Sequence, residues 1–256
     1  MNAMSATRPR VPEFVRVSVP VVALVAVAAL APLEGVRAEA FESLERLDQA
    51  EFLQLSENLA AATHYKAVTP AESLGILGFD VGVEISSTEI DRELFDRASD
   101  GDYGAGSILV PRVHAHKGLP FGIDVGAFVG AVPQTDLSLF GAELRLALVE
   151  GGVAFPAVAL RASYSSAFGS NSLQLDNAAL ELTVSKGFLM LTPYAGVGIV
   201  HSESKPGDTA TLADESVDQE KLFAGVNVNL VGLNVTAEAD RTGEYTSFSA
   251  KLGFRF

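Results

Sequence analysis

The chain has 256 residues, 48% of them hydrophobic, with 32 acidic and 18 basic residues and a net charge of −14. An acidic surface of this kind repels phosphate backbones and excludes nucleic acid as a partner. The absence of cysteine excludes a disulfide framework, a thiol nucleophile and a thiolate metal site.

Residues 1–40 read as an export signal. Arg8, Arg10 and Arg16 accompany an apolar run over residues 17–32, and Ala38-Glu39-Ala40 forms a small-x-small cleavage site before Phe41. The run is shorter than the ~20 residues that a helix needs to span a bilayer, so the segment reads as a cleaved signal peptide. Its removal takes away four basic and three acidic residues and leaves 216 residues with a net charge of −15. That length suits one barrel or sandwich domain.

Residues 41–70 read as a helix followed by a linker. Phe41, Leu44, Leu47, Leu55 and Leu59 recur near helical spacing among acidic residues, and Pro70 closes the connecting stretch. The pattern predicts a periplasmic amphipathic helix over residues 41–62, with a plug that enters or caps the following domain as the alternative.

Residues 71–256 change to a period of two. Leu77, Phe79, Val81, Val83 and Ile85 alternate with Gly78, Asp80, Gly82 and Glu84. The same writing returns around residues 121–129, 140–148, 158–163, 180–185, 195–199, 222–230, 233–240 and 246–256. A weaker segment, residues 108–116, is interrupted by Pro111. The pattern predicts ten antiparallel strands, each with one apolar and one polar face. Short connections (117–120, 149–154, 185–188, 231–233) alternate with longer or more polar ones, among them 87–106 and 202–218. Such alternation is expected when all short turns lie on one side of a membrane. Phe121, Phe155, Phe188 and Phe256 would then form an aromatic girdle at the short-turn end.

The chain ends in Lys251-Leu252-Gly253-Phe254-Arg255-Phe256, alternating down to the terminal phenylalanine. This ending resembles the closing strand of bacterial outer-membrane β-barrels. The resemblance implies an all-β fold, a single antiparallel transmembrane barrel in the outer membrane whose last strand pairs with its first. It implies outer-membrane lipid and lipopolysaccharide as surroundings, and Phe254 and Phe256 as part of the signal read by the barrel assembly machinery. An even strand count lets one chain close alone, as a monomer. A soluble lipocalin-like barrel is the structural alternative and predicts the opposite polarity, apolar inside and charged outside.

In the membrane reading, Asp80, Glu84, Arg112, His114, His116, Asp124, Glu143, Arg145, Arg161, Glu181, Glu238, Asp240 and Arg255 converge in the lumen. Both signs are present, so a filled salt-bridge network is the first expectation and a narrow ion or small-solute pore the second. His114-x-His116 places two imidazoles on one strand face without an identifiable third metal ligand, so neither metal nor cofactor is expected.

Catalysis finds no complete motif. The omptin proteases use Asp pairs and an Asp-His pair; His201, Asp208, Asp214 and Asp218 lack that spacing. The outer-membrane lipid A deacylases use a His-x-Ser pair with a glutamate, and here Glu203 stands where the serine would. The expectation is a non-catalytic structural or surface-interaction barrel, with a hydrolase of lipid A or peptides as a further alternative. Asp96, Asp100 and Asp102 offer oxygen ligands for the divalent cations that bridge lipopolysaccharide.

Overall fold

A computed structural model describes residues 41, 43–99, 105–133, 135, 137–169, 172–207 and 211–256. The proposed signal segment, Asp100, Asp102 and Asp208 lie outside the described residues. Ten strands form one closed sheet: β1 (Phe79–Glu89), β2 (Ser107–Gly118), β3 (Ile123–Ala131), β4 (Ser138–Val149), β5 (Ala157–Phe168), β6 (Leu173–Ser185), β7 (Leu191–Pro206), β8 (Glu215–Leu230), β9 (Leu233–Thr242) and β10 (Tyr245–Arg255). Every neighbouring pair is antiparallel, and β1 closes on β10 from Asp80–Arg255 to Thr88–Ser247. Phe256 extends that seam by exchanging backbone hydrogen bonds with Phe79 at 2.9 and 3.0 Å. Closure leaves no unpaired edge, the condition for a sheet to cross a membrane.

Two helices accompany the barrel, α1 (Gln49–Thr63) and α2 (Arg92–Ala98). The connections β2–β3, β4–β5, β6–β7 and β8–β9 lie at the same end as Phe256. The tightest is the two-residue turn between β8 and β9, where Val231 (φ 50°) and Gly232 (φ 93°) both occupy the left-handed region. Two-residue hairpin turns of this class demand it. The helix-bearing β1–β2 connection and the extended ends of the 16-residue β7 and β8 occupy the opposite end.

The wall is apolar outside and polar inside along most of its height. Leu144, Leu180, Val197, Ile199, Leu222 and Leu252 are each at least half exposed, while Glu84, Arg112, Arg145, Arg161 and Glu181 are buried. A continuous apolar exterior around charged residues is the surface of a barrel that crosses a membrane, and it overturns the soluble alternative. Phe121, Phe155, Phe188 and Phe256 are exposed at the short-connection end. Pro111 is accommodated because it lies one residue beyond the last β2–β3 pair, Arg112–Gly130.

The expected periplasmic helix is instead inside the barrel. A 3-10 turn (Leu44–Arg46) precedes α1, whose first turn is held by a reciprocal capping box between Asp48 and Glu51. Phe52, Leu55 and Leu59 are fully buried and pack with Leu94 and Phe95 of α2 and with Ile108, Val110, Phe128, Leu139, Leu173 and Leu175 of the wall. The inner surface of β2–β6 is therefore apolar near the long-connection end, where an entirely polar lumen was expected. Residues 64–74 then carry the chain, without regular structure, to the short-connection end and into β1.

Leu55 has no exposed surface, and truncating a buried leucine costs about 2–5 kcal/mol. Leu55→Ala is expected to lower the guanidinium midpoint of the micelle-refolded protein by that equivalent, while Leu180→Ala on the exterior leaves it nearly unchanged. Denaturant titration followed by gel mobility checks both.

Candidate functional site: the luminal network

Strand alternation aims the acidic and basic residues of the wall at one another. At the short-connection end, Asp80 lies between Lys251 Nζ (3.1 Å) and Arg255 Nε (3.3 Å). Asp124 takes two donors from Arg145, Nε at 3.0 Å and Nη2 at 2.6 Å. Glu84 accepts from Arg112 Nη1 at 2.8 Å and pairs through its other oxygen with His114 Nε2. Glu143 faces Arg161 Nε at 2.9 Å and His116 Nε2 at 3.4 Å. Glu181 joins Arg161 (2.8 Å) to Lys221 (2.7 Å), and Glu238 accepts from the Tyr194 hydroxyl at 2.6 Å. Bidentate and shared contacts of this kind offset much of the cost of removing the charges from water.

All thirteen positions expected in the lumen face it, and all but Arg255 are buried. His114 and His116 stack at 5.7 Å, each turned toward its own carboxylate. Among the described residues no group of three His, Asp or Glu side chains is placed to hold a metal ion.

The network has a second function that the sequence did not reveal: it grips the inserted segment. The last carbonyls of a helix have no intrahelical partner. Here Arg112 Nη2 donates to Ala62 O (2.7 Å) and Ser165 Oγ to Thr63 O (3.2 Å). A guanidinium at this end also opposes the negative pole of the helix. Below it, the Tyr65 hydroxyl meets His116 Nε2 at 3.1 Å, and Lys66 Nζ donates to both oxygens of Asp240 at 2.8 and 2.9 Å. Arg145 Nη1 donates to Pro70 O (2.7 Å) and Thr69 Oγ1 (3.1 Å), which Arg161 Nη2 also reaches at 3.1 Å. Between these anchors Val68 is held at φ 48°, a conformation costly for a β-branched residue.

Tyr65, Lys66 and Thr69 carried no periodic signal and were missed. Tyr194 and Lys221 were available from strand phase, since Tyr194 shares the face of Gly196 and Gly198 on β7 and Lys221 that of Asn227 and Asn229 on β8, opposite the apolar residues of each strand. Outside the barrel, His201 Nδ1 donates to Asp218 Oδ1 (2.8 Å), while Ser202 points inward to Asn177. His201 and Ser202 thus stand on opposite faces of β7. Asp96 lies 3.6 Å from Arg92 on α2.

No protein-family model matches the chain, and no curated protein matches it. Among solved structures it is similar to Neisserial surface protein A at 11% identity, covering 69% of this chain and 95% of that one with a TM-score of 0.32. The KdgM porin matches at 10% identity, 70% and 99% coverage and a TM-score of 0.35. The translocator domain of the autotransporter NalP from Neisseria meningitidis matches at 9%, with 87% and 99% coverage and a TM-score of 0.33. Likeness at this level says nothing about what this chain binds or does.

One outcome follows from the grip. Lys66→Met strands Asp240 without its ion pair, and breaking a buried pair costs about 3–5 kcal/mol; the double variant Lys66→Met/Asp240→Leu is expected to recover much of that loss in denaturant titration.

Proposed function

We propose that this chain is an outer-membrane barrel closed by its own N-terminal segment, and that it acts through its exterior, as a structural or surface-interaction protein. The observation that carries this reading is the occupied lumen: α1 and residues 64–74 pass through it, sealed by an apolar cluster at one end and by ion pairs along the rest. Outer-membrane lipid and lipopolysaccharide would contact the apolar exterior, and Phe254 and Phe256 would serve the assembly machinery. A sheet closed within one chain supports a monomer.

Conduction is disfavoured because the side chains that would line a pore are paired with one another and with the inserted segment. Catalysis at the surface is disfavoured because the serines beside His201 face inward. Planar-bilayer recording of the refolded protein is expected to show no unitary currents, whereas a variant lacking residues 41–74 should open steady ones. Stable currents from the intact chain would overturn the closed reading. Lipid A mass spectra after expression are expected to be unchanged; a lost acyl chain would instead establish a hydrolase.

A further inference from the structure

The inserted segment has a direction, and it runs opposite to that of a plug folded up from the periplasm with a returning end. Its C-terminal part is fixed at the short-connection end, where Leu74 N donates to Asp124 (3.1 Å) and Ser73 Oγ to Glu150 (3.1 Å). Its middle is held by Arg145 and Arg161 at Thr69. Its N-terminal part is fixed at the other end: Gln49 bonds Ala213 in the β7–β8 connection (2.9 and 3.1 Å), Glu51 pairs with Arg97 of α2, and Ser43 N donates to Ala98 O at 3.2 Å. The ring of Phe41 packs edge-on against Phe95, 5.9 Å away.

Length supports a complete traverse. The 15 residues of α1 rise about 22 Å at 1.5 Å per residue. Residues 64–74 add up to ~35 Å if extended. Together they exceed the ~30 Å hydrocarbon core, which the helix alone would not.

Short turns face the periplasm and longer connections the exterior in barrels of this class. We infer that the chain crosses the membrane an eleventh time, through the lumen, and that the barrel holds Phe41 and residues 43–48 at its outer mouth, presenting the N-terminal end of the exported chain to the cell exterior. The inference rests on the outer-membrane reading above and goes beyond it: the barrel would be a display scaffold, and sequence joined ahead of Phe41 would continue outside the cell. Delivery of that end requires its release from the inner membrane, which the proposed cleavage before Phe41 would provide.

The absence of cysteine makes the test direct. Glu45, Glu244 and Gly152 are exposed, the first at the N-terminal end of the luminal segment, the second in the β9–β10 turn, the third in the β4–β5 connection. Glu45→Cys, Glu244→Cys and Gly152→Cys are expressed separately and treated in intact cells with a polyethylene-glycol maleimide too large to cross the outer membrane. Glu45→Cys and Glu244→Cys are expected to label to similar extents, and Gly152→Cys only after the outer membrane is permeabilised. Labelling of Glu244→Cys without Glu45→Cys would overturn the inference and leave the outer-membrane reading standing. Labelling of Gly152→Cys but not Glu244→Cys would invert the barrel and overturn it too. If none labels in intact cells although all label in lysate, the outer-membrane location fails and the inference with it. A variant that does not fold is recognised by loss of heat-modifiable gel mobility, and Asp48→Cys, also exposed, then replaces Glu45→Cys with the same expected and overturning results.

Discussion

The structure depends on filling its own interior. An eight-stranded barrel is just filled by its inward side chains, and ten strands enclose more than theirs can occupy. The chain supplies the missing volume from its N-terminal segment, and the wall is shaped to receive it. Where large rings must lie across the sheet, the wall gives way to glycine: a Cβ on Gly126 would come within 2.2 Å of the His116 ring, and one on Gly196 within 2.3 Å of Phe223. These glycines are spatial requirements, imposed by what lies over them.

Charge follows the same constraint. The wall pairs Asp80, Glu84, Asp124, Glu143 and Glu181 with its own arginines, lysines and histidines. Asp240 takes its close ion pair from Lys66 of the inserted segment. A buried carboxylate without a partner is expensive, so the wall and the segment complete each other electrostatically as well as sterically. The three arginines that reach the segment do so with nitrogens left over from their carboxylate pairs, a use that the five-donor guanidinium permits.

The strands were legible because each residue of a membrane-crossing barrel chooses between two solvents, and that choice is written with a period of two. Turn asymmetry and the Phe256 ending were legible for a related reason, since both mark the same end of the barrel. The luminal helix was misread because the wall surrounds it. A helix enclosed on nearly every side needs no continuous polar face, so Ala60, Ala61 and Ala62 interrupt the amphipathic pattern that would have announced it. A signal did exist in the wall itself. Ile108-Leu109-Val110, Phe128-Val129 and Leu139-Phe140 are apolar on both faces, which strict alternation does not produce and burial on both sides does. Lys66 and Thr69 left no such trace, because they sit in a stretch without regular structure whose course is set by Arg145 and Arg161.

The two zones of the lumen hold the segment by unequal means. Ion pairs in a channel that would flood on opening exchange one set of charge contacts for hydration, so their net contribution to holding the segment is modest while their geometric demands fix its register. The apolar cluster has no such compensation: releasing Phe52, Leu55 and Leu59 would expose them, together with Phe95, Ile108 and Phe128, at about 25 cal/mol for each Å² returned to water. The seal therefore resides at the long-connection end and the alignment at the other. Salt screens the second and leaves the first in place, so the apolar cluster is the part of the contact that ionic strength does not weaken.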